Sequence, residues 1–168
     1  MNKYGLLLIL LLLFSILVSG SADEPAAGDT DQIMISLDRG MCFGTCPVYT
    51  VTLYENGTLH WNGEMYVDVI GEVTAEIDPD EVINLSAYIE SRGFFTYNDT
   101  YVSYDITDLP WATLTVSNGT QFKQIEHYHG DHSAPIVLHN LEDAVDVVAN
   151  TSAWIGEGGI DDMSGEWL

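Results

Sequence analysis

The chain has 168 residues, of which 26 are acidic and 4 basic, for a net charge of −22 at neutral pH. So strong a single-sign field repels nucleic-acid phosphates and anionic membrane surfaces, and neither is expected as a partner. It suits a solvated surface adapted to high salt, where screening removes the self-repulsion. Clustered carboxylates also suggest calcium, but no Asp-x-Asp-x-Asp-Gly loop occurs, so no calcium site is assigned.

The first segment in chain order is a targeting signal. Lys3 precedes an apolar run from Gly5 to Val18, and Gly20 and Ala22 hold the two positions that a signal peptidase reads. This pattern predicts a signal peptide at residues 1–22, cleaved after Ala22, and an extracellular or cell-surface protein. The run is shorter than the about 20 residues of a membrane span, so the membrane enters only if the segment stays as an uncleaved N-terminal anchor. Residues 23–31 read as an acidic linker of small residues. Residues 32–155 read as one domain, large enough for a core of its own.

Within that domain, Ile33, Ile35 and Leu37 alternate as a strand. After a cysteine-bearing loop, Val48 to Tyr54 and Thr58 to Trp61 form a hairpin around Asn56-Gly57. Asn62-Gly63 then reads as a further turn into a long strand, Met65 to Ile77, bent at Gly71. Asp78 as cap, Pro79 at the first helical position and Glu81 three residues after the cap announce a helix with Val82, Leu85 and Ile89 on one face, ended by Gly93. Thr96 to Leu109 reads as a long loop in which Tyr97, Tyr101 and Tyr104 are candidate contact residues for a protein or sugar; the alternative is a connection whose tyrosines cover the sheet edge. Trp111 to Ser117 and Gln121 to Tyr128 pair around Asn118-Gly119. Ser133 is expected to cap a second helix with Leu138, Leu141, Val145 and Val148 at its core face, ending near Asn150. Residues 156–168 read as a flexible acidic tail. The sum is an α+β fold: one antiparallel sheet of about six strands in the order ββββαββα, with two helices packed on one face.

Three constellations can carry function. Cys42 and Cys46 are the only cysteines. Outside the cytoplasm such a pair forms a disulfide that stabilises by roughly 2 kcal/mol on the chain-entropy estimate. A redox thiol pair and a structural zinc site are the alternatives, although Pro47 leading into a strand lacks the helix N-terminus that lowers a thiol pKa. His127, His129, Asp131 and His132 crowd the end of a predicted strand, where alternation puts His127 and His129 on one face and where zinc or copper can be ligated. The competing reading is an exposed strand end. Asn56, Asn84, Asn98, Asn118 and Asn150 each begin an Asn-x-Ser/Thr acceptor, which suggests a glycosylated surface; Asn56 and Asn118 equally suit hairpin turns. No Gly-x-Ser-x-Gly elbow, phosphate loop or His-Glu-x-x-His helix occurs, which disfavours serine hydrolases and phosphoryl transfer.

The run Cys42-Phe43-Gly44-x-Cys46-Pro47-Val48-Tyr49, followed by Asn56-Gly57, Gly63 and Gly71, resembles a family of exported prokaryotic proteins known only as a domain of unknown function with a CFGxCPxY signature. Phe94-Phe95, Asp108-Leu109-Pro110, His127-Tyr128, Gly130, Pro135, Leu141-Glu142 and Trp154-Ile155 fall where later landmarks of that family are expected. Met41, where a small residue or proline is expected, and the acidity depart from its pattern. The resemblance brings no activity with it. The reading is therefore an exported, acidic, disulfide-stapled binding or accessory module of the cell envelope, without catalysis, whose partner is an envelope protein or glycan. The alternatives are a metal-binding protein or metal-dependent hydrolase built on the histidine cluster, and a secreted inhibitor presenting Phe43 on the Cys42–Cys46 loop.

Overall fold

The structure is a computed structural model that describes residues 32–102 and 108–156. The signal segment, the linker, Tyr104 and the tail beyond Gly156 lie outside the described residues. Apolar alternation produces strands β1 (Ile33–Arg39), β2 (Val48–Tyr54), β3 (Thr58–Met65) and β4 (Gly71–Glu76). Helix α1 (Pro79–Ser91), a 3₁₀ turn at Phe94–Thr96 and the short strand β5 (Thr100–Tyr101) follow. Strands β6 (Trp111–Asn118) and β7 (Phe122–Tyr128), helix α2 (Ile136–Ala149) and the single turn α3 (Ser152–Ile155) complete the chain.

All seven strands join one sheet of order β4-β3-β2-β1-β6-β7-β5, antiparallel except where β5 runs parallel to β7. Ile35, Leu37, Val51, Leu53, Leu59, Trp61, Leu114, Val116 and Ile125 are buried in one core cluster with Val82, Leu85 and Ile89 of α1 and Leu138, Leu141 and Val145 of α2. Both long helices thus cover one face of the sheet, as an amphipathic stripe over a one-sided sheet requires. The opposite face is polar: Ser36 and Thr52 hydroxyls meet at 2.9 Å, and Gln124 Nε2 donates to Thr115 Oγ1 at 3.1 Å. Helix α1 begins as its sequence requires, with the Asp78 carboxylate accepting from Asp80 N at 3.0 Å, and Gly93 closes it at φ 80°.

Four expectations are corrected. The segment expected as loop from Thr96 to Leu109 contains β5, which brings the sheet of about six strands to seven. Asn62-Gly63 is not a turn: β3 runs through it, and Gly63 pairs with Gly71, the first residue of β4. Glycine is required at 63 for close approach, since a Cβ there would collide with the Val69 carbonyl oxygen that accepts from Trp61 Nε1 at 2.9 Å. Ser133 does not cap α2, which starts at Ile136 after Pro135. Proline bars the helical conformation from Ala134, and Ser133 instead donates from N and Oγ to Asp131 Oδ1 at 2.9 and 2.6 Å. Tyr101 is buried, with its hydroxyl accepting from Asn98 N at 3.1 Å, so it offers no contact surface.

Candidate functional site

The alternation that sends Ile35 and Leu37 into the core sends Arg39 there too, and only 7 % of Arg39 is exposed. A buried guanidinium must spend its donors on acceptors. Nε and Nη2 of Arg39 donate to Asp146 Oδ2 at 3.1 and 2.7 Å, Nη2 to Asp143 Oδ1 at 3.1 Å, and Nη1 to Glu142 Oε2 at 3.1 Å. All three carboxylates come from α2. Glu142 stands four residues after Leu138 and three before Val145, which places it inside the apolar stripe, and it is wholly buried.

Strand β7 and the turn that directly follows it supply the other partners of Glu142. His127 and His129, two residues apart and hence on one face, bring Nδ1 to 2.6 Å from Oε1 and Nε2 to 2.8 Å from Oε2. His139, one turn before Glu142 on α2, lies at the rim with Nδ1 3.8 Å from Oε2. Beyond Arg39, Tyr49 OH donates to Asp146 Oδ1 at 2.6 Å and Thr151 Oγ1 to the same oxygen at 3.1 Å. The Tyr49 ring stacks on Trp61 at 4.7 Å, and Trp61 packs against Trp154 at 5.2 Å. Carboxylates at the centre of such a network are acceptors only, so the imidazoles act as donors towards Glu142.

The charges of these groups are held by one another. Burial by itself raises the Glu142 carboxyl, but the hydrogen bonds from His127 and His129 and the charge of Arg39 outweigh it and bring it down to about 2. Burial opposes the Arg39 charge, and Asp146 and Glu142 overcome that and raise its pKa. Burial and the Asp146 charge push the Tyr49 phenol up. His129 is lowered by burial more than its bond to Glu142 raises it, which fits a neutral ring donating Nε2–H. Glu142 is therefore a carboxylate, and Tyr49 is a phenol.

A second feature lies at the same end of the sheet. Cys42 and Cys46 are joined in a disulfide with their Cα atoms 5.7 Å apart, so neither the free thiol pair nor a zinc site on these sulfurs applies. The loop is tied down by Gly40 N donating to Trp111 O at 2.8 Å and Phe43 N to Asp108 O at 3.0 Å. Phe43 is nonetheless 88 % exposed and Met41 63 %. Beside the loop ends Gly40 and Val48, a cleft of about 210 Å³ opens, lined by Asp38, Thr50, Glu64, Trp111 and Thr113.

The profile of the family described as Domain of unknown function (DUF6438) matches residues 33–149, from the start of β1 to the end of α2. The chain belongs to that family. No curated protein matches it. The DUF6438 span contains the disulfide loop and, apart from Thr151 and Trp154, every residue of the buried network.

Of the residues read from sequence, the DUF6438 fold brings His127 and His129 together and leaves Asp131 and His132 apart from them. Asp131 is engaged with Ser133, and His132 is exposed. Glu142, Arg39, Asp146 and Tyr49 are members that sequence reasoning missed. Two signals could have found them: an arginine on the inward phase of an alternating strand, and a glutamate inside the apolar stripe of a helix. Tyr97 is half-buried and donates to Arg92 O at 2.6 Å. Among the glycosylation acceptors, Asn56, Asn84, Asn98 and Asn150 are exposed. Asn118 is half-buried, and its side chain is spent on Gln121 N at 2.8 Å and Glu90 Oε2 at 3.2 Å. Ser86, needed to mark Asn84 as an acceptor, is buried in α1, so glycosylation there has to precede folding. Among the described residues no helix is long and apolar enough to cross a membrane.

Proposed function

We propose that this DUF6438 protein is an exported, acidic binding module of the cell envelope that works by contact, with the Cys42–Cys46 loop as its contact element. The observation that carries the reading is the exposure of Phe43, 88 %, on a loop closed by a disulfide and anchored to the backbone at Asp108 and Trp111. A large apolar side chain on a backbone tied by a disulfide and hydrogen bonds docks with little loss of backbone entropy, which is what an interface anchor needs. Met41 beside it, and the acidic cleft lined by Asp38 and Glu64, extend the same surface. The targeting pattern of residues 1–22 and the exposed acceptors Asn56, Asn98 and Asn150 support export and a glycosylated surface. The partner is an envelope protein or a glycan; the inhibitor alternative uses the same loop and differs in that its partner is a secreted enzyme.

The test is affinity capture from the native cell surface with wild-type protein and Phe43→Ala. Loss of capture with an unchanged melting temperature is expected. Capture that survives the substitution removes the loop from the contact surface. Mass measurement of protein purified from its own host is expected to show a chain beginning at Asp23 and carrying glycans.

A further inference from the structure

We propose that His127, His129 and Glu142 form a binding site for a divalent transition metal ion, zinc or copper, with His139 at its mouth and Arg39 as the fixed counter-charge of Glu142. This inference is independent of the contact role of the Cys42–Cys46 loop. One ligand atom from each of the three residues lies within 4.8 Å of the others. Imidazole nitrogen with one carboxylate oxygen is a donor set that suits zinc and copper, and it leaves room for an exchangeable ligand. The gathering is selective: the chain has 5 histidines, and His127, His129 and His139 all stand around a single carboxylate.

The contacts now made by Glu142 are hydrogen bonds of 2.6 and 2.8 Å to the two rings. Tetrahedral ligands at about 2.0 Å from zinc stand roughly 3.3 Å apart, so the carboxylate contacts have to lengthen while the ligand atoms, now within 4.8 Å of one another, close around the ion. The rim offers room for such a rearrangement, since the His139 side chain is 37 % exposed. A neutral imidazole that ligates through the nitrogen now facing Glu142 carries its proton on the other ring nitrogen, and the metal replaces the two contacts to Glu142 with metal–ligand bonds. Arg39 holds Glu142 Oε2, which leaves Oε1 to ligate. The charge also fits. Glu142, Asp143 and Asp146 surround one guanidinium and leave two negative charges in excess, the charge of one divalent ion.

The test is titration of ZnCl₂ and, separately, CuCl₂ into mature full-length protein stripped with EDTA and dialysed, followed by calorimetry and thermal shift. Binding of one ion per chain with a rise in melting temperature is expected. His129→Gln and His127→Gln are expected to weaken it by about tenfold or more, and His132→Gln to leave it unchanged. Should either variant fail to fold, the imidazole resonances of wild-type protein provide the second measurement: those of His127 and His129 shift on adding zinc while that of His132 does not. The proposal is overturned if folded wild-type protein binds neither ion stoichiometrically. It is equally overturned if binding survives His129→Gln or is lost with His132→Gln.

Discussion

Arg39 is one of 4 basic residues in the chain, and it is spent in the interior, on three carboxylates of one helix. Removing it leaves the wholly buried Glu142 without a counter-charge and takes the same partner from the half-buried Asp146. Arg39→Met is therefore expected to destabilise the fold by about 3–5 kcal/mol, read from urea unfolding. The same network sets a pH dependence. Glu142 is held down at about 2, below its ordinary 4.5, so its contribution is complete above pH 4.5 and is lost as the pH falls towards 2. His129 is also lowered, from 6.5, so the unfolded chain takes up its proton first and stability declines as the pH falls below that value. The melting temperature is expected to fall in two stages on acidification. His129→Gln removes the upper stage and leaves the lower; an unchanged upper stage in that variant would show that another group titrates there.

At the scale of elements, the local signals that succeeded are those that rest on backbone chemistry alone. Asp78-Pro79 opens α1, Gly93 closes it, and Asn118-Gly119 turns β6 into β7, because caps and hairpin turns are decided within a few residues. Ser133 failed as a cap for a local reason, Pro135, but elsewhere a distant element overruled the local signal. Asn62-Gly63 has turn composition, yet it continues β3 because Gly63 lies under the carbonyl of Val69, and Val69 and Asp68 are in turn tied to Trp154 and Ile155 of α3. Gly63→Ala is expected to cost about 1–3 kcal/mol in chemical denaturation, as overpacking against rigid backbone does. The disulfide loop contributes differently, by restricting the unfolded chain. Replacing both Cys42 and Cys46 by serine is expected to cost roughly 2 kcal/mol in the same experiment, without loss of the sheet by circular dichroism.

For the molecule as a whole, 26 acidic residues with few basic neighbours repel one another across the surface. Salt screens that repulsion, so the melting temperature is expected to rise steadily with NaCl; a melting temperature that is flat or falls with salt would contradict a surface adapted to high ionic strength. The sequence by itself determined the α+β class, the meander of the first four strands, both long helices and the pair of cysteines, since periodicity, caps and turns are written in neighbouring residues. Only the tertiary structure decided that Arg39 of the first strand, His127 of the seventh, His129 of the turn after it and Glu142 of the second helix meet at one point. Each carries a local signal, a polar or charged group at an inward position, but burying such a group is tolerable only when its partner arrives from another element. Which partner arrives is set by how the helix lies on the sheet, and no stretch of neighbouring residues contains that.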